Sequence, residues 1–263
     1  MKDTREPLIV YWAPATYESD QESWSFLYTE PTSLFSEITK MRATNVGTDN
    51  IYACPAFKAS TNNVFVIKNV IENVVSFPEG FLKDANDTIA SNPNFSTNLI
   101  PFGKNLESRV FLNVLRKPSV KDHANVLYNM SWLFIAEDSV VAKITPPYYP
   151  QTSPANGAML SIGEFDIGQW FRPFVLDYHI PMSTDKMTFF EGDDLCYIHF
   201  NTDRPIIFKR FMHTATIAKL QQECSEAGRR YGTFKPLTQR YAMAKKAKIK
   251  EQFISEIKKH LVE

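Results

Sequence analysis

From Val126 to Ile144 the chain reads VLYNMSWLFIAEDSVVAKI, and it runs on at once into TPPYYPQTSPAN. The first stretch is two β-branched and aromatic runs about a Glu137-Asp138 corner, which favours strands over helices. The second places four prolines in the twelve residues from Thr145 to Asn156. Proline has no N–H to give a helix or a ladder, so this part reads as a rigid extended loop. A chain that must accommodate both is steered toward a body of short strands joined by proline-bearing turns. Composition agrees: 20 Phe against only 9 Gly suits packed strands better than a glycine-rich nucleotide fold.

Other segments extend the pattern. Leu8–Trp12, Asn63–Lys68, Val70–Phe77, Phe174–Ile180, Leu195–Phe200 and Pro205–Phe211 read as strands, and Ala158–Phe165 reads as one more. Trp24–Tyr28 alternates in the same way. Thr32–Lys40 has helical spacing, with Thr32 or Ser33 as N-cap and Leu34, Phe35 and Ile38 as the apolar side. Residues 83–98 are polar and read as a long surface loop. From Thr214 the period changes to that of a helix, with Ile217, Leu220 and Cys224 in line and Gly228 as its cap. A second helix is expected from Pro236 to Val262, with Phe253, Ile254, Ile257 and Leu261 as its stripe. The expected fold is mostly β, a β-sandwich or β-clip-like body of short antiparallel strands with a C-terminal pair of helices, α+β overall. Its division is a β-rich body over 1–212 and a basic helical segment over 213–263.

Charge sharpens that division. Net charge is zero, but residues 206–263 hold 13 Lys/Arg against 5 Asp/Glu, and the rest hold 16 against 24. A basic tail on an acidic body points to docking on its own body, on a second copy, or on nucleic acid. Arg229, Arg230, Arg240, Lys245 and Lys246 are the candidate contacts to phosphates or to a partner.

Cys54, Cys196 and Cys224 are too widely spaced for a zinc motif, and their odd number suits a reducing compartment. No metal and no cofactor is expected. No stretch approaches 18 apolar residues, so no membrane span is expected. Phosphate-loop, dinucleotide-binding and nucleophile-elbow motifs do not occur in the sequence.

The segment 161–200 carries the remaining chemistry. It holds two glycine–acid pairs, Gly163-Glu164 and Gly192-Asp193, which read as turns that open strands. Between them Asp166 and Arg172 stand six residues apart. The structural reading is an ion pair that locks a turn. The functional reading has Asp166 positioning a water while Arg172 holds a phosphate or carboxylate. Tyr148 and Tyr149 on the proline loop could stack on a base or sugar. Tyr178, Asp193 and Asp194 complete the candidate ligand contacts.

Two resemblances attach to these residues. Cys54-Pro55-Ala56-Phe57, Asn63-Val64-Phe65-Val66-Ile67, the run Phe165 to Pro173 and the run Gly192 to Ile198 resemble a family of tailed-phage proteins, notably marine T4-like ones. That resemblance spans most of the chain to about residue 212. It implies a viral origin, in the infected host's cytoplasm or in the virion, with a second copy or a phage or host protein as partner. More locally, Gly163 to Gly168 followed by Phe190 to Ile198 resembles the dUTPase and dCTP deaminase group, over about 40 residues. It implies a β-clip fold, with Asp166 ordering the attacking water and reading the sugar of a nucleotide, and Gly192 and Asp193 forming a structural turn. The group's Gly-Arg-Ser-Ser phosphate segment has no counterpart here, Asn129-Met130-Ser131-Trp132 standing nearest. Asp194 stands where that group carries Arg.

Overall fold

The computed structural model describes residues 5–15, 27–44, 54–77, 94–97, 115–116, 122–149, 153–226, 236–246 and 248–262. Trp24 and most of the expected 83–98 loop lie outside them, as do Arg229, Arg230 and Gly228. Among the described residues strands outweigh helices and all but one of the strand pairings are antiparallel, so the class is mostly β and α+β overall.

Two sheets face each other. One has the order β14-β1-β7-β11-β9, formed by Ile206–Arg210, Leu8–Pro14, His123–Ala136, Phe174–Pro181 and Met159–Leu160, with β6 (Leu115–Arg116) also on β7. The other is β10-β8-β13-β3-β2, formed by Gly163–Asp166, Val141–Thr145, Asp194–Phe200, Val64–Lys68 and Thr32–Ser33. Aromatic rings bridge the gap: Phe165 stacks on Phe174 at 4.4 Å, and Phe65 meets Phe208 edge-on at 4.8 Å. Such pairs contribute about 1 kcal/mol beyond the area they bury, which is where many of the 20 phenylalanines go. A third, small sheet, β12-β4-β5 (Lys186–Phe189, Asn73–Ser76, Asn94–Thr97), joins through Phe189 stacked 4.5 Å from Tyr128.

Helices cover the outer faces. Over β3 and β13, α1 (Leu34–Thr44) buries Leu34 and Ile38 against Val64, Val66 and Tyr197, while α2 (Pro55–Ser60) sets Phe57 beside them. Phe35, expected on the apolar side of α1, is 47% exposed. The C-terminal layer is α3 (Ala215–Glu226), α4 (Leu237–Lys246) and α5 (Ile249–Lys259). Ile217, Leu220, Cys224, Phe253 and Ile257 belong to the same core as the strands, and Phe253 lies 4.8 Å from Phe171. Burial of a side chain such as Phe253 contributes about 2 kcal/mol, so this basic segment is a layer of the body.

The run 126–144 is two strands about the Glu137-Asp138 corner, as expected; β1 and β11 occupy both flanks of β7, so β8 crosses to the other sheet. Three expectations are corrected. The run 158–165 divides, β9 pairing with β11 in one sheet and β10 with β8 in the other. The single helix expected over 236–262 is broken between α4 and α5 by Lys248, which takes a left-handed φ of 51°, and Leu261 lies beyond its end. Within the expected polar loop, Asn94–Thr97 is a strand on β4.

Candidate functional site

Asp166 ends β10 at the point where the chain must turn. Its side chain is buried, and both carboxylate oxygens are occupied. Oδ1 accepts the N–H of Gly168 at 2.8 Å and that of Val140 at 3.1 Å. Oδ2 accepts the Ser139 hydroxyl and the Gln169 amide. Ionised aspartate offers about four acceptor positions, and here four donors fill them. The main chain joins in: Ile167 N–H donates to the Val140 carbonyl at 3.0 Å, and Ala136 N–H donates to that of Ile167 at 3.3 Å. Asp166 thus clamps the crossover 137–140 that carries the chain from β7 to β8.

Gly168 makes the clamp possible. A β-carbon there would lie 2.1 Å from the Asp138 carbonyl oxygen, so no other residue fits without displacing backbone. Gly163, read from sequence as the turn glycine, is instead a strand residue opposite Ile144. Arg172 is not among the four donors to the Asp166 carboxylate. Its guanidinium sits 5.0 Å from the Trp170 ring centroid and 6.0 Å from that of Phe165, a cation–π position.

The second glycine–acid corner is open. Gly192 has φ +87° with nothing near its missing side chain. Asn69 braces it, accepting Gly192 N–H on its carbonyl at 2.8 Å and donating Nδ2 to the Phe190 carbonyl at 2.8 Å. Asp193 is partly exposed, whereas Asp194 is buried against the Lys68 ammonium at 2.5 Å and the Tyr197 hydroxyl at 2.9 Å. Asp193, Asp194 and Tyr178 do converge, with Pro146 and Pro147, on one cavity of about 70 Å³. Pockets for small molecules start near 300 Å³, so this space suits a water or two. Tyr178 is fully buried, and that burial holds its phenol protonated. Tyr148 is exposed and stands edge-on to Tyr197 at 4.7 Å; Tyr149 meets Phe57 at 6.0 Å. Beside Tyr148 lies His199, its pKa lowered by burial and then by Lys143, with Nε2 3.0 Å from Thr145 Oγ1.

A larger cleft, about 370 Å³, separates the outer side of the Asp166 corner from the C-terminal helices. Ser139, Gly168, Gln169 and Phe171 form one wall; Tyr241, Ala244, Lys245, Lys250 and Glu251 form the other. Tyr241 Oη accepts the Asp166 main-chain N–H at 2.9 Å, which leaves its own proton to give. Burial raises its pKa, so it is a neutral donor at pH 7. Lys245 is exposed at the rim, while Lys250 donates to the Glu137 carbonyl. Lys258 also pairs with Glu137, at 2.9 Å, and this contact, more than burial opposes it, holds the Glu137 carboxyl below its ordinary value. Part of the basic tail is therefore spent on the acidic body. Lys246 is exposed on α4, and Arg240 lies on the same helix.

The cleft brings together the Asp166 corner and Lys245, two features that the sequence leaves unconnected. Ser139, Gln169 and Tyr241 were missed, while Lys250 belongs to the basic face read from the sequence. Asp166-Ile167-Gly168 carries the one available signal, since an aspartate accepting an N–H two residues on is ordinary turn chemistry. Tyr241 and Lys250 reach the corner only through the fold. Among the described residues no group of His, Cys, Asp and Glu could hold a metal ion, and no helix is long and apolar enough to cross a membrane. In comparisons with known proteins, the chain matches no protein family, no curated protein and no solved structure.

Proposed function

We propose that this is a phage-encoded protein that acts by binding a partner rather than by turning over a substrate, and that an anionic group of the partner enters the cleft between the Asp166 corner and α4–α5. One observation carries the reading. The carboxylate best placed for catalysis by sequence has its acceptor positions filled by Gly168, Val140, Ser139 and Gln169. A general base must reach the proton it removes, and Asp166 could do so only by surrendering bonds that hold the sheet crossover. Lys245, Lys250 and the Tyr241 hydroxyl favour an anion in the cleft. The viral origin rests on the sequence resemblance alone.

A second reading keeps the nucleotide, as ligand instead of substrate. The cleft's 370 Å³ lies within the range of small-molecule pockets, and the half-buried Tyr241 is its aromatic wall. A panel of deoxynucleoside triphosphates and inorganic pyrophosphate, titrated by calorimetry, tests both readings. The expected result is binding that weakens about tenfold in Lys245→Glu, the loss of roughly one charge-assisted contact, with no pyrophosphate or ammonia released. Release of either product, abolished in Asp166→Asn, would overturn the proposal.

A further inference from the structure

β14 is the outermost strand of the larger sheet and runs parallel to β1, with Leu8 opposite Ile206 and Trp12 opposite Arg210. The Pro205 carbonyl accepts Leu8 N–H at 2.7 Å, and Phe211 N–H donates to the Trp12 carbonyl at 3.0 Å. Odd-numbered residues therefore turn their main-chain groups toward β1, and those of Ile206, Phe208 and Arg210 point outward. The chain closes one end of this edge itself. Val262 N–H donates to the Arg210 carbonyl at 2.9 Å, Met212 N–H donates to that of His260 at 2.9 Å, and Phe211 lies opposite Leu261. Among the described residues, nothing pairs with the outer side of Ile206 and Phe208.

The surroundings of the open half are apolar and basic. Ile207 is 46% exposed, Met212 41%, and Leu261 and Val262 39% each. Next to it runs a groove of about 580 Å³ lined by Trp12, Phe208, Lys209, Arg210, Leu261 and Val262, with Glu30 its one carboxylate. From Pro205 to Met212 the strand reads PIIFKRFM, with two cations and no acid. Ile207 and Lys209 share its exposed face, because alternate residues of a strand do.

We propose that the open half of β14 is a docking edge for an extended segment of a partner protein in which an apolar and an acidic residue stand two positions apart, on one face. Its main chain would pair with Ile206 and Phe208, the addition of a strand to a free edge. One apolar side chain would cover Ile207 and an acidic one would meet Lys209. The charge pattern selects this occupant over a second copy. Two β14 strands side by side would gather four cations, Lys209 and Arg210 of each, on one short strand pair with no acid among them, and like charges on paired strands repel. A lysine at an edge is a usual guard against such self-pairing. This surface shares no residue with the cleft beside Asp166, so the two proposals stand or fall separately.

The test uses the full chain and two fluorescein-labelled eight-residue peptides, one repeating Thr-Val-Thr-Asp and one repeating Thr-Val-Thr-Lys, so that valine and the charged residue share a face. Fluorescence polarisation should show the aspartate peptide binding at least tenfold tighter at low salt, with the preference shrinking at high salt. Lys209→Glu should reverse the order of the two peptides. Amide hydrogen exchange should slow at Ile206 and Phe208 when the aspartate peptide is added. Equal binding of both peptides, an order unchanged in Lys209→Glu, or unchanged exchange at Ile206 and Phe208 would each overturn the proposal. So would a dimer, seen by sedimentation, that falls apart in Ile206→Pro, because the edge would then belong to a second copy.

Discussion

The two glycine–acid corners, GEFDIGQ and FEGDDLC, look alike in sequence and are built in opposite ways. At the first, the acid is buried, four donors surround it, and the glycine that matters is Gly168, pressed against the Asp138 carbonyl. At the second, Gly192 stands in open space and is needed only for its positive φ; the bracing comes from Asn69 and the buried charge is Asp194, one residue further on. One corner clamps a crossover between sheets, while the other opens a strand. Residue type fixes neither role; the number of donors within reach does.

The contrast predicts a graded set of losses. Gly168→Ala should cost about 3 kcal/mol or more, since overpacking against backbone has no flexible side chain to relieve it, whereas Gly192→Ala should cost about 1–2 kcal/mol for the left-handed conformation alone. Urea unfolding measures both, and equal losses would break the distinction between the corners. Next comes Asp166→Ala, expected to cost about 3 kcal/mol, because it leaves the Gly168 and Val140 N–H groups buried without acceptors; Asp193→Ala should change stability by less than about 0.5 kcal/mol. Asp194→Asn falls between them at about 2 kcal/mol, since it removes one partner of a mostly buried ion pair and leaves Lys68 partly solvated.

The smallest expected effect is one of pH. His199 in the fold has a lowered pKa, from burial first and then Lys143, against about 6.5 unfolded. Below that value the unfolded chain takes up the proton before the folded one, so stability falls as pH drops through and below 6.5 and is full above it. His199→Gln should flatten this part of the profile, measured as unfolding midpoint between pH 7.5 and 5.5. An unchanged slope would mean that His199 is no less basic folded than unfolded.

Much of the β body could be read in advance because strands with β-branched or alternating residues announce themselves: NVFVIK, FVLDYHIP and DLCYIHF all lie where expected. Partnership was not legible in advance. VLYNMSWLFIA and VAKIT look like a hairpin, but whether two neighbouring strands pair depends on which edges are free, and β1 and β11 come from far along the chain. Lys186–Phe189 was missed for being short, and Pro55–Ser60 for following a proline that reads as a stop although it suits a first helical turn. The Asp166 corner was legible as a turn from Asp-x-Gly spacing. Its saturation was not, because Val140 and Ser139 stand 26 and 27 residues away and reach Asp166 only once β8 pairs with β10. Nor did the sequence show that the Arg172 guanidinium lies over the Trp170 ring.

The central claim, that Asp166 is a structural clamp, is tested most directly by Asp166→Asn, measured in one preparation for urea unfolding and for product release from deoxynucleoside triphosphates. An amide in that position sets its own N–H hydrogens against donors that need an acceptor, so a loss of about 2–3 kcal/mol is expected, with no product from wild type or variant. A variant as stable as the wild type, but lacking a pyrophosphate- or ammonia-releasing activity that the wild type has, would contradict the claim.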